Sequence, residues 1–291
     1  MSEKSSYAQI LKASSIMSGA AGINLLLGMV RTKFAAVLIG TTGIGLLTSL
    51  AAIQGLIGII AGLGIQSSAV REVAVAVGKN DDEAIGRAVL TLRRLSWFTG
   101  MIGMVAMMVL SPFLSQLTFA SGEYTMDIAA LGVIILLANI SGGQMALIQG
   151  MRRIGDMARA NIIGALLATV SAVSFYSWLG LRGIVPSLIV IAGMQLVISW
   201  YFARRVPVPS VELGWRETFT EASGMVRLGV VFMWTGLMSS IVGYITITLI
   251  TQQVSLQAVG IYGAAFALSG MFVNFVLQAM GADYYPRLTS L

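Results

Sequence analysis

Eight long apolar stretches dominate this sequence, and each is long enough to cross a lipid bilayer. A spanning helix needs about 20 mostly apolar residues. Only 10% of the 291 residues are charged, against about 25% in soluble domains. The chain is therefore predicted to be an all-α polytopic membrane protein with about eight transmembrane helices. The stretches lie near residues 13–39, 46–69, 95–118, 126–150, 160–180, 183–203, 228–250 and 258–281.

Basic residues are concentrated in alternate connections between these stretches. With a cytoplasmic N-terminus, the inner segments carry 15 of the 18 Lys and Arg residues, and the outer connections carry only Arg182. This asymmetry follows the positive-inside rule, so we expect the N-terminus to face the cytoplasm. Inner loops that face anionic lipid account for the net charge of +6, so membrane lipids are expected partners and nucleic acid is not. The inner segments are the N-terminus, 71–94, 151–159, 204–227 and 282–291.

Several kinds of chemistry lack the residues that they require. The chain has no Cys and no His, which excludes thiol chemistry, disulfides and His-ligated metal sites. It also has no G-x-x-x-x-G-K-[ST] motif for binding nucleotide phosphates. The sequence predicts a protein that is not an enzyme, with no catalytic residue, no metal and no cofactor.

The longest inner loop divides the apolar stretches unequally. It contains "RRVPVPS" at 204–210, and then Trp215, Phe219, Ala222 and Val226 recur at helical spacing. Such an amphipathic stretch is expected to lie in the membrane interface. The predicted domains are an N-lobe at 1–206 with six transmembrane helices, a cytoplasmic linker with an amphipathic helix at 207–227, and a partial C-lobe at 228–291 with two helices.

A weak internal repeat favours this division. Gly43 and Ile44 match Gly260 and Ile261 at an offset of 217, and the same offset relates Gly64 to Gly281. Many transporters consist of two parallel halves of six helices, so the last two helices would begin a second half. The sequence ends at "PRLTSL" before such a half is complete, and we expect a fragment of a longer transporter.

The stretch "GMVRTKFAAVLIG" at 28–40 allows two interpretations. If the first helix ends at Val30, then Arg31 and Lys33 extend to the lipid headgroups. If the helix continues to Ile39, Arg31 lies roughly 12 Å inside it at 1.5 Å per residue. The apolar run at 34–39 and the turn signal "GTTGIG" at 40–45 favour the longer helix.

Small and polar residues form stripes on four of the predicted helices. The stripes predict a polar-lined cavity, although hydrogen bonding between helices is the alternative role for any single Asn or Gln. The first helix places Asn24 on the face of Arg31, and the others contribute amides of their own. The candidate substrate-binding residues are Arg31, Lys33, Asn24, Gln54, Asn139, Asn274 and Gln278.

The charges predict the kind of substrate. No Asp or Glu lies at the middle of a predicted span, since ten of the twelve fall in inner segments and Glu123 and Asp127 lie at the outer start of the fourth helix. A drug or cation antiporter normally needs a buried carboxylate. An arginine instead offers forked donors to a phosphate or pyrophosphate, and uncharged polar groups suit sugar hydroxyls. The residues therefore indicate a transporter for an anionic, polar-headed substrate.

Four segments resemble the O-antigen and polysaccharide translocases of the multidrug/oligosaccharidyl-lipid/polysaccharide exporter superfamily. They are "GLGIQSSAVREVA" at 62–74, "QGMRRIGDMARANIIGALLATV" at 149–170, "LRGIVPSLIVIAG" at 181–193 and "GADYYPRLTSL" at 281–291. The resemblance implies a flippase that moves an undecaprenyl-pyrophosphate-linked oligosaccharide, such as an O-antigen repeat unit, across the bacterial inner membrane by alternating access. It also implies a polysaccharide polymerase and a chain-length regulator as candidate partners.

One residue carries over from a related family. "LGMVR" at 27–31 resembles the first-helix pattern "GF-x-R-D" of the lipid II flippases, in which the arginine faces the central cavity, and this position is Arg31 here. The Asp that follows in that pattern is Thr32 in this sequence. Two alternatives stay open: a cation-coupled multidrug exporter of the same fold, and a truncated membrane scaffold that transports nothing.

Overall fold

The described part of the chain is built from helices and contains no strand. The computed structural model describes residues 3–209, 211 and 213–270, with side chains from residue 15 onward except those of Trp215, Arg216 and Phe219. The predicted all-α fold class is confirmed. The helices are α1 (Glu3–Gly62), α2 (Ile65–Lys79), α3 (Asp82–Phe119), α4 (Thr125–Gly150), α5 (Ile154–Leu179), α6 (Ile184–Ala203), α7 (Trp215–Gln253) and α8 (Leu256–Gly270).

Five described segments are long and apolar enough to cross a membrane. Two of them, Ser15–Gly62 and Ile154–Ala203, contain 48 and 50 residues, about twice the length of one span. The first is broken at Gly40, and the second by a 3₁₀ turn at Gly180–Gly183. The predicted boundary between the fifth and sixth spans therefore holds. The eighth predicted span lies partly outside the described residues, and the total of eight stays a prediction.

Gly40 divides α1 into two segments, residues 3–39 and 41–62. Its backbone angles are φ 65° and ψ −173°, a region that only glycine occupies without strain. Arg31 and Gln54 line one cavity, although a straight helix would hold them roughly 35 Å apart. The two segments therefore lie side by side. Because the first continues to residue 39, the alternative in which the helix ends at Val30 is wrong.

The predicted second span, 46–69, is wrong at its C-terminal end. Leu63 and Gly64 both take positive φ angles, 47° and 61°, and stop the helix at Gly62. Ile65 then begins α2, a separate amphipathic helix that buries one face against α3, α4 and α7. Ile65 and Ala69 are apolar because they belong to that buried face. In the sequence they continue the apolar run of the preceding span, so the predicted span was too long.

The predicted amphipathic stretch after the long loop forms the first turns of α7. Ala222 and Met225 are buried in the same apolar cluster as the α2 face. The side chains of Trp215 and Phe219 lie outside the described set, so that half of the predicted apolar face is not placed. The division into lobes at 206 and 227 stays a prediction.

Two glycines pack reciprocally where the second segment of α1 meets α8. A Cβ on Gly45 would overlap the Leu256 carbonyl oxygen, and one on Gly260 would overlap the Thr41 carbonyl oxygen. Gly45 and Gly260 are 215 positions apart, as are Thr41 and Leu256, which differs by two residues from the offset of 217 in the sequence repeat. The start of a second lobe at α7 and α8 stays a prediction. Gly281 lies outside the described residues.

An ion-pair network holds α7 against α3 at one end of the helix bundle. We call it the basic end, because Arg87 and Arg94 of α3 lie there. Arg87 lies 2.6 Å from Glu83 and 3.2 Å from Glu221 of α7. Thr91 donates to the second oxygen of Glu221 over 3.4 Å. Arg94 donates to the Leu213 carbonyl oxygen over 3.0 Å. The start of α7 is therefore fixed through charged contacts.

Glu72 of α2 faces this network and is half-buried. Burial raises the pKa of its carboxyl above the usual 4.5, the charge of Glu221 raises that pKa further, and Arg71 opposes the shift. A raised pKa means that the folded protein binds the proton more tightly than the unfolded chain. Stability from this group is therefore present below pH 4.5 and is lost as the pH rises through the raised pKa.

Replacing Gly40 with alanine should destabilise the protein by about 1–3 kcal/mol, because the Cβ forces a strained backbone. Gly19→Ala is the matched control, since a Cβ at either position meets no atom within 4 Å and Gly19 has an ordinary helical backbone. That control should be neutral or stabilise by up to about 1 kcal/mol. Equal melting temperatures for the two purified variants would contradict the strained break at Gly40.

Glu72→Gln should raise the melting temperature at neutral pH, and its advantage over wild type should shrink as the pH approaches about 5. Thermal denaturation of the detergent-purified protein between about pH 5 and pH 8 measures this difference. Glu83→Gln is the control, because it removes a carboxylate that Arg87 already neutralises and should not raise the melting temperature. A neutral-pH loss of stability in Glu72→Gln would show that the ionised carboxylate stabilises the fold.

Candidate functional site

A cavity of about 650 Å³ lies between α1, α5 and α6 on one side and α7 and α8 on the other. Arg31 lines it from the first segment of α1, and Thr48 and Gln54 line it from the second segment. We call it the Arg31 cavity. It brings the arginine together with residues of the predicted partial C-lobe, among them Ser240 and Tyr244 of α7.

The position of Arg31 follows from the unbroken helix around it. Ala35, one turn further on, is buried against the neighbouring helices and also lines the cavity. Residues 31 and 35 therefore share the face of α1 that looks into the cavity. Arg31 and Lys33 are both exposed, but Lys33, two residues on, is not among the residues that line the cavity, as expected for the opposite side of a helix.

A second cavity of about 450 Å³ adjoins the first, since Gln54 and Gly55 line both. Asn139 of α4 lines this second space, which we call the Asn139 cavity. Gly58 also lines it, and a Cβ on Gly58 would meet no atom within 4 Å. Gly58 therefore borders open space and does not bring two helices into close contact. Arg31, Gln54 and Asn139 lie around two adjoining cavities, and their role in binding a substrate stays a prediction.

The Asn139 side chain is partly engaged by its own helix. Its amide nitrogen donates to the Ile135 carbonyl oxygen over 3.0 Å, and its residue is only 6% exposed. A Cβ added to Gly62 would lie 3.4 Å from the side-chain oxygen of Asn139. That oxygen therefore remains as the acceptor that faces the second segment of α1.

Of the other candidate residues, the structure describes only Asn24 and Lys33, and neither lines a cavity. Asn24 is outside the linings of both cavities, and its Oδ1 is buried and accepts no hydrogen bond from a described residue. Asn274 and Gln278 lie outside the described residues. Their stripe on α8 begins as predicted, because Gly263 and Ala267 line the Arg31 cavity.

Two tyrosines that were not predicted from the sequence also line the Arg31 cavity. Tyr176 of α5 and Tyr244 of α7 are 4% and 7% exposed. The Tyr244 hydroxyl forms a 2.8 Å hydrogen bond with Thr118 of α3. Tyrosines well inside apolar spans were the available signal, since buried hydroxyls need partners. The bond also links α7 to α3 away from the basic end.

The described lining of the Arg31 cavity contains one cation and no carboxylate. No group of three metal-ligating residues exists among the described positions. A protonated guanidinium with hydroxyl and amide groups around it can bind a phosphate or another oxyanion. The described cavity offers no negative group to attract a cation.

Two close backbone contacts, which we call the glycine closures, lie at opposite ends of this space. At the basic end, a Cβ on Gly229 of α7 would overlap the Leu63 carbonyl oxygen. At the other end lies the reciprocal contact between Gly45 and Gly260. The two cavities occupy the space between these closures, and each closure joins α1 or its end to α7 or α8.

A family model described as "Polysaccharide biosynthesis protein" matches residues 10–291. Two curated relatives, the Lipid III flippases of Escherichia coli (strain K12) and Shigella flexneri, are each 23% identical over 283 residues. The alignments cover 93% of this chain and 64% of each relative. The chain therefore spans less than two thirds of the length of these relatives.

Solved transporters share the fold. The MATE multidrug transporter DinF-BH has a TM-score of 0.71 at 18% identity, with 92% of this chain and 60% of that chain covered. A MOP superfamily transporter from Pyrococcus furiosus, described by the reverse polarity of its binding pocket, has a TM-score of 0.62 at 19% identity, with 88% and 62% covered. At such identities the likeness shows the fold alone.

Single cysteines placed in this naturally cysteine-free chain should report water in the Arg31 cavity. Ser240→Cys should react with a small water-soluble thiol reagent in native membranes, because reaction requires an ionised thiol. Val105→Cys is the control, since Val105 is 52% exposed on α3 but is expected to face lipid and to stay unlabelled. Equal labelling of the two variants would contradict a water-filled cavity.

Proposed function

The chain belongs to the polysaccharide biosynthesis protein family, and from that premise we propose that it carries a lipid-linked, anionic, polar-headed substrate across the membrane. The family match over residues 10–291 and the relatives that are flippases support a transporter and not an enzyme. The observation that carries the proposal is the placement of Arg31 inside a spanning helix, in a cavity whose described lining holds no carboxylate.

Arg31 is proposed to bind the phosphate or pyrophosphate of the substrate. Its guanidinium presents paired donors that match the oxygens of such a group. Intramembrane cations are costly, and they mark substrate pathways when they face a water-filled cavity. The bound anion would offset that cost, and this gives the site its preference for negative cargo.

Gln54 and Asn139 are proposed to contact the uncharged part of the head group. They line the Asn139 cavity, and Thr48 and Ser240 add hydroxyls to the Arg31 cavity. Amide and hydroxyl groups match sugar hydroxyls without fixing one sugar. Asn24, Asn274 and Gln278 stay in the proposal as residues along the substrate path, whereas Lys33, the remaining candidate from the sequence, lines neither cavity and is given no contact with the substrate.

Movement would proceed by alternating access between the two glycine closures. Parting Gly229 from Leu63 would open the cavities at the basic end, and parting Gly45 from Gly260 would open them at the other end. Both closures depend on α7 and α8 moving relative to α1, as expected if those helices begin a second lobe. The lipid tail of the substrate would stay in the bilayer during the exchange.

The finer form of the proposal concerns the substrate and its setting. We propose an undecaprenyl-pyrophosphate-linked oligosaccharide, such as an O-antigen repeat unit, with a polysaccharide polymerase and a chain-length regulator as partners. The Lipid III flippases support a lipid-linked substrate in general. The bacterial inner membrane, with the N-terminus in the cytoplasm, fits the distribution of Lys and Arg.

A cation-coupled multidrug exporter is the second candidate, because a multidrug transporter shares the fold with a TM-score of 0.71. Such an exporter needs a negative group near its substrate, and the described lining of the Arg31 cavity provides none. Charge at this position therefore separates the two functions. The scaffold alternative predicts no transport at all.

Arg31→Ala should reduce transport of a lipid-linked pyrophosphate by roughly 10- to 100-fold, the effect of losing charge-assisted hydrogen bonds worth about 1.5–3 kcal/mol. Arg31→Lys should fall between wild type and Arg31→Ala, because it keeps the charge and loses the forked geometry. The measurement is surface polysaccharide and accumulated lipid-linked intermediate in a host that depends on the full-length gene, at matched protein abundance.

Lys33→Ala is the control, since it removes a cation two residues away that does not line the cavity. It should transport within about threefold of wild type, as expected of a surface charge. Equal defects in Arg31→Ala and Lys33→Ala would show that general positive charge matters and not the cavity. Normal transport in Arg31→Ala would overturn the proposed role.

A further inference from the structure

Another pocket, remote from the Arg31 cavity, lies on the outside of the helix bundle at the basic end. It has a volume of about 510 Å³ and is formed by α3, α4 and α6 with the loop that follows α6. Arg93 of α3 and Arg204 at the end of α6 both line it. No described residue of α1, α7 or α8 contributes to it, so it is separate from the proposed transport path.

The pocket is positively charged. Its described lining contains two arginines and no Asp or Glu, and neither arginine forms an ion pair with a described residue. The Arg204 guanidinium lies 4.8 Å from the centre of the Trp200 ring, a cation–π contact that leaves its outer donors for a ligand. Arg93 is exposed. The ligand must therefore be an anion.

The neighbouring groups place this anion at a membrane surface. Trp97 and Trp200 also line the pocket and are 55% and 51% exposed. Tryptophans with free apolar surface are typical of the boundary between lipid headgroups and hydrocarbon. Ser199 donates to the Gln144 side-chain oxygen over 2.6 Å, which leaves the Gln144 amide nitrogen as a further donor beside the arginines.

Beyond the pocket, α3 alone presents an open strip of apolar surface, which we call the α3 groove. It begins with Met101, one turn after Trp97, and includes Val105 and Val109, which are 52% and 71% exposed. Its described lining contains no polar side chain. A charged pocket at the membrane boundary with an apolar groove beside it matches a headgroup and its acyl chain.

We propose that this pocket binds an anionic glycerophospholipid of the leaflet at the basic end, with its phosphate between Arg93 and Arg204 and one acyl chain along the α3 groove. Basic pockets between transmembrane helices bind anionic headgroups in this way. The site takes a resident lipid and not the transported one, because its described lining does not connect to the Arg31 cavity. It is independent of the proposed transport function.

Native mass spectrometry of the purified full chain tests the proposal by titration with phosphatidylglycerol and with phosphatidylcholine. Wild type should retain phosphatidylglycerol in preference to phosphatidylcholine. Arg93→Gln/Arg204→Gln should lose roughly fivefold in phosphatidylglycerol affinity for each arginine removed. Arg71→Gln/Arg227→Gln removes the same charge from α2 and α7 and should keep the wild-type preference.

A second measurement needs no arginine variant and so does not depend on how well that variant folds. Phosphatidylglycerol with brominated acyl chains should quench tryptophan fluorescence more than brominated phosphatidylcholine, and Trp97→Phe/Trp200→Phe should abolish the difference. Soluble glycerol phosphate should not displace the lipid, because the acyl chain supplies part of the binding.

Three results would overturn the site: equal retention of both lipids by wild type, an equal loss in the two double-arginine variants, or a difference in quenching between the two brominated lipids that persists without Trp97 and Trp200. Displacement of the lipid by glycerol phosphate at equal concentration would show a free-phosphate site and would also reject the proposal.

Discussion

An arginine inside a membrane-spanning helix requires water, an anion or both, and the arrangement of the cavities follows from this requirement. A guanidinium cannot release its proton to become neutral, so the surrounding structure must hydrate it or pair it. Arg31 lines a cavity of about 650 Å³ between α1, α5, α6, α7 and α8. The cavity is the space that makes the charge tolerable, and we propose that the charge determines which cargo it accepts.

The shape of α1 makes that cavity. The break at Gly40 brings residues 3–39 and 41–62 side by side, so that Arg31 and Gln54 reach the same space. Close backbone contacts at Gly229 and at Gly260 lie at its opposite ends, where we propose that it opens and closes. In a membrane, helices gain little from excluding water from one another, and small residues that permit close approach carry much of the association. Glycines at the two closures therefore give contacts that can form and separate without large changes in burial.

Much of the fold could be predicted from apolar length. Residues 126–150 and 183–203 were predicted as spans, and the helices run over Thr125–Gly150 and Ile184–Ala203, because turns on both sides limit these stretches. The predicted C-terminal end of the second span was wrong, because Ile65 and Ala69 are apolar for another reason. They belong to the buried face of α2. The positive φ of Leu63 separates the two helices. It could not be predicted from the sequence, because leucine is not a residue type that favours positive φ.

The candidate site was only partly predictable. The helical spacing that relates Arg31 and Gln54 to the faces of α1, and Asn139 to a face of α4, is a local property, and it can be read from the sequence. The hydrogen bond between Tyr244 and Thr118 joins residues 126 positions apart, and nothing local to either residue reveals it. The same holds for Arg93 and Arg204, which sequence reasoning counted only as positive-inside charges and which the fold brings into one pocket.

The central claim is that the charge at position 31 selects the charge of the cargo. The most direct measurement compares equilibrium binding of a polyprenyl pyrophosphate and of a cationic dye to the purified wild-type protein and to Arg31→Glu, with Lys33→Glu as the control. The account predicts that wild type and Lys33→Glu prefer the pyrophosphate and that Arg31→Glu prefers the dye. If wild type prefers the dye, or if Arg31→Glu keeps the preference for pyrophosphate, the Arg31 cavity does not recognise its cargo by charge.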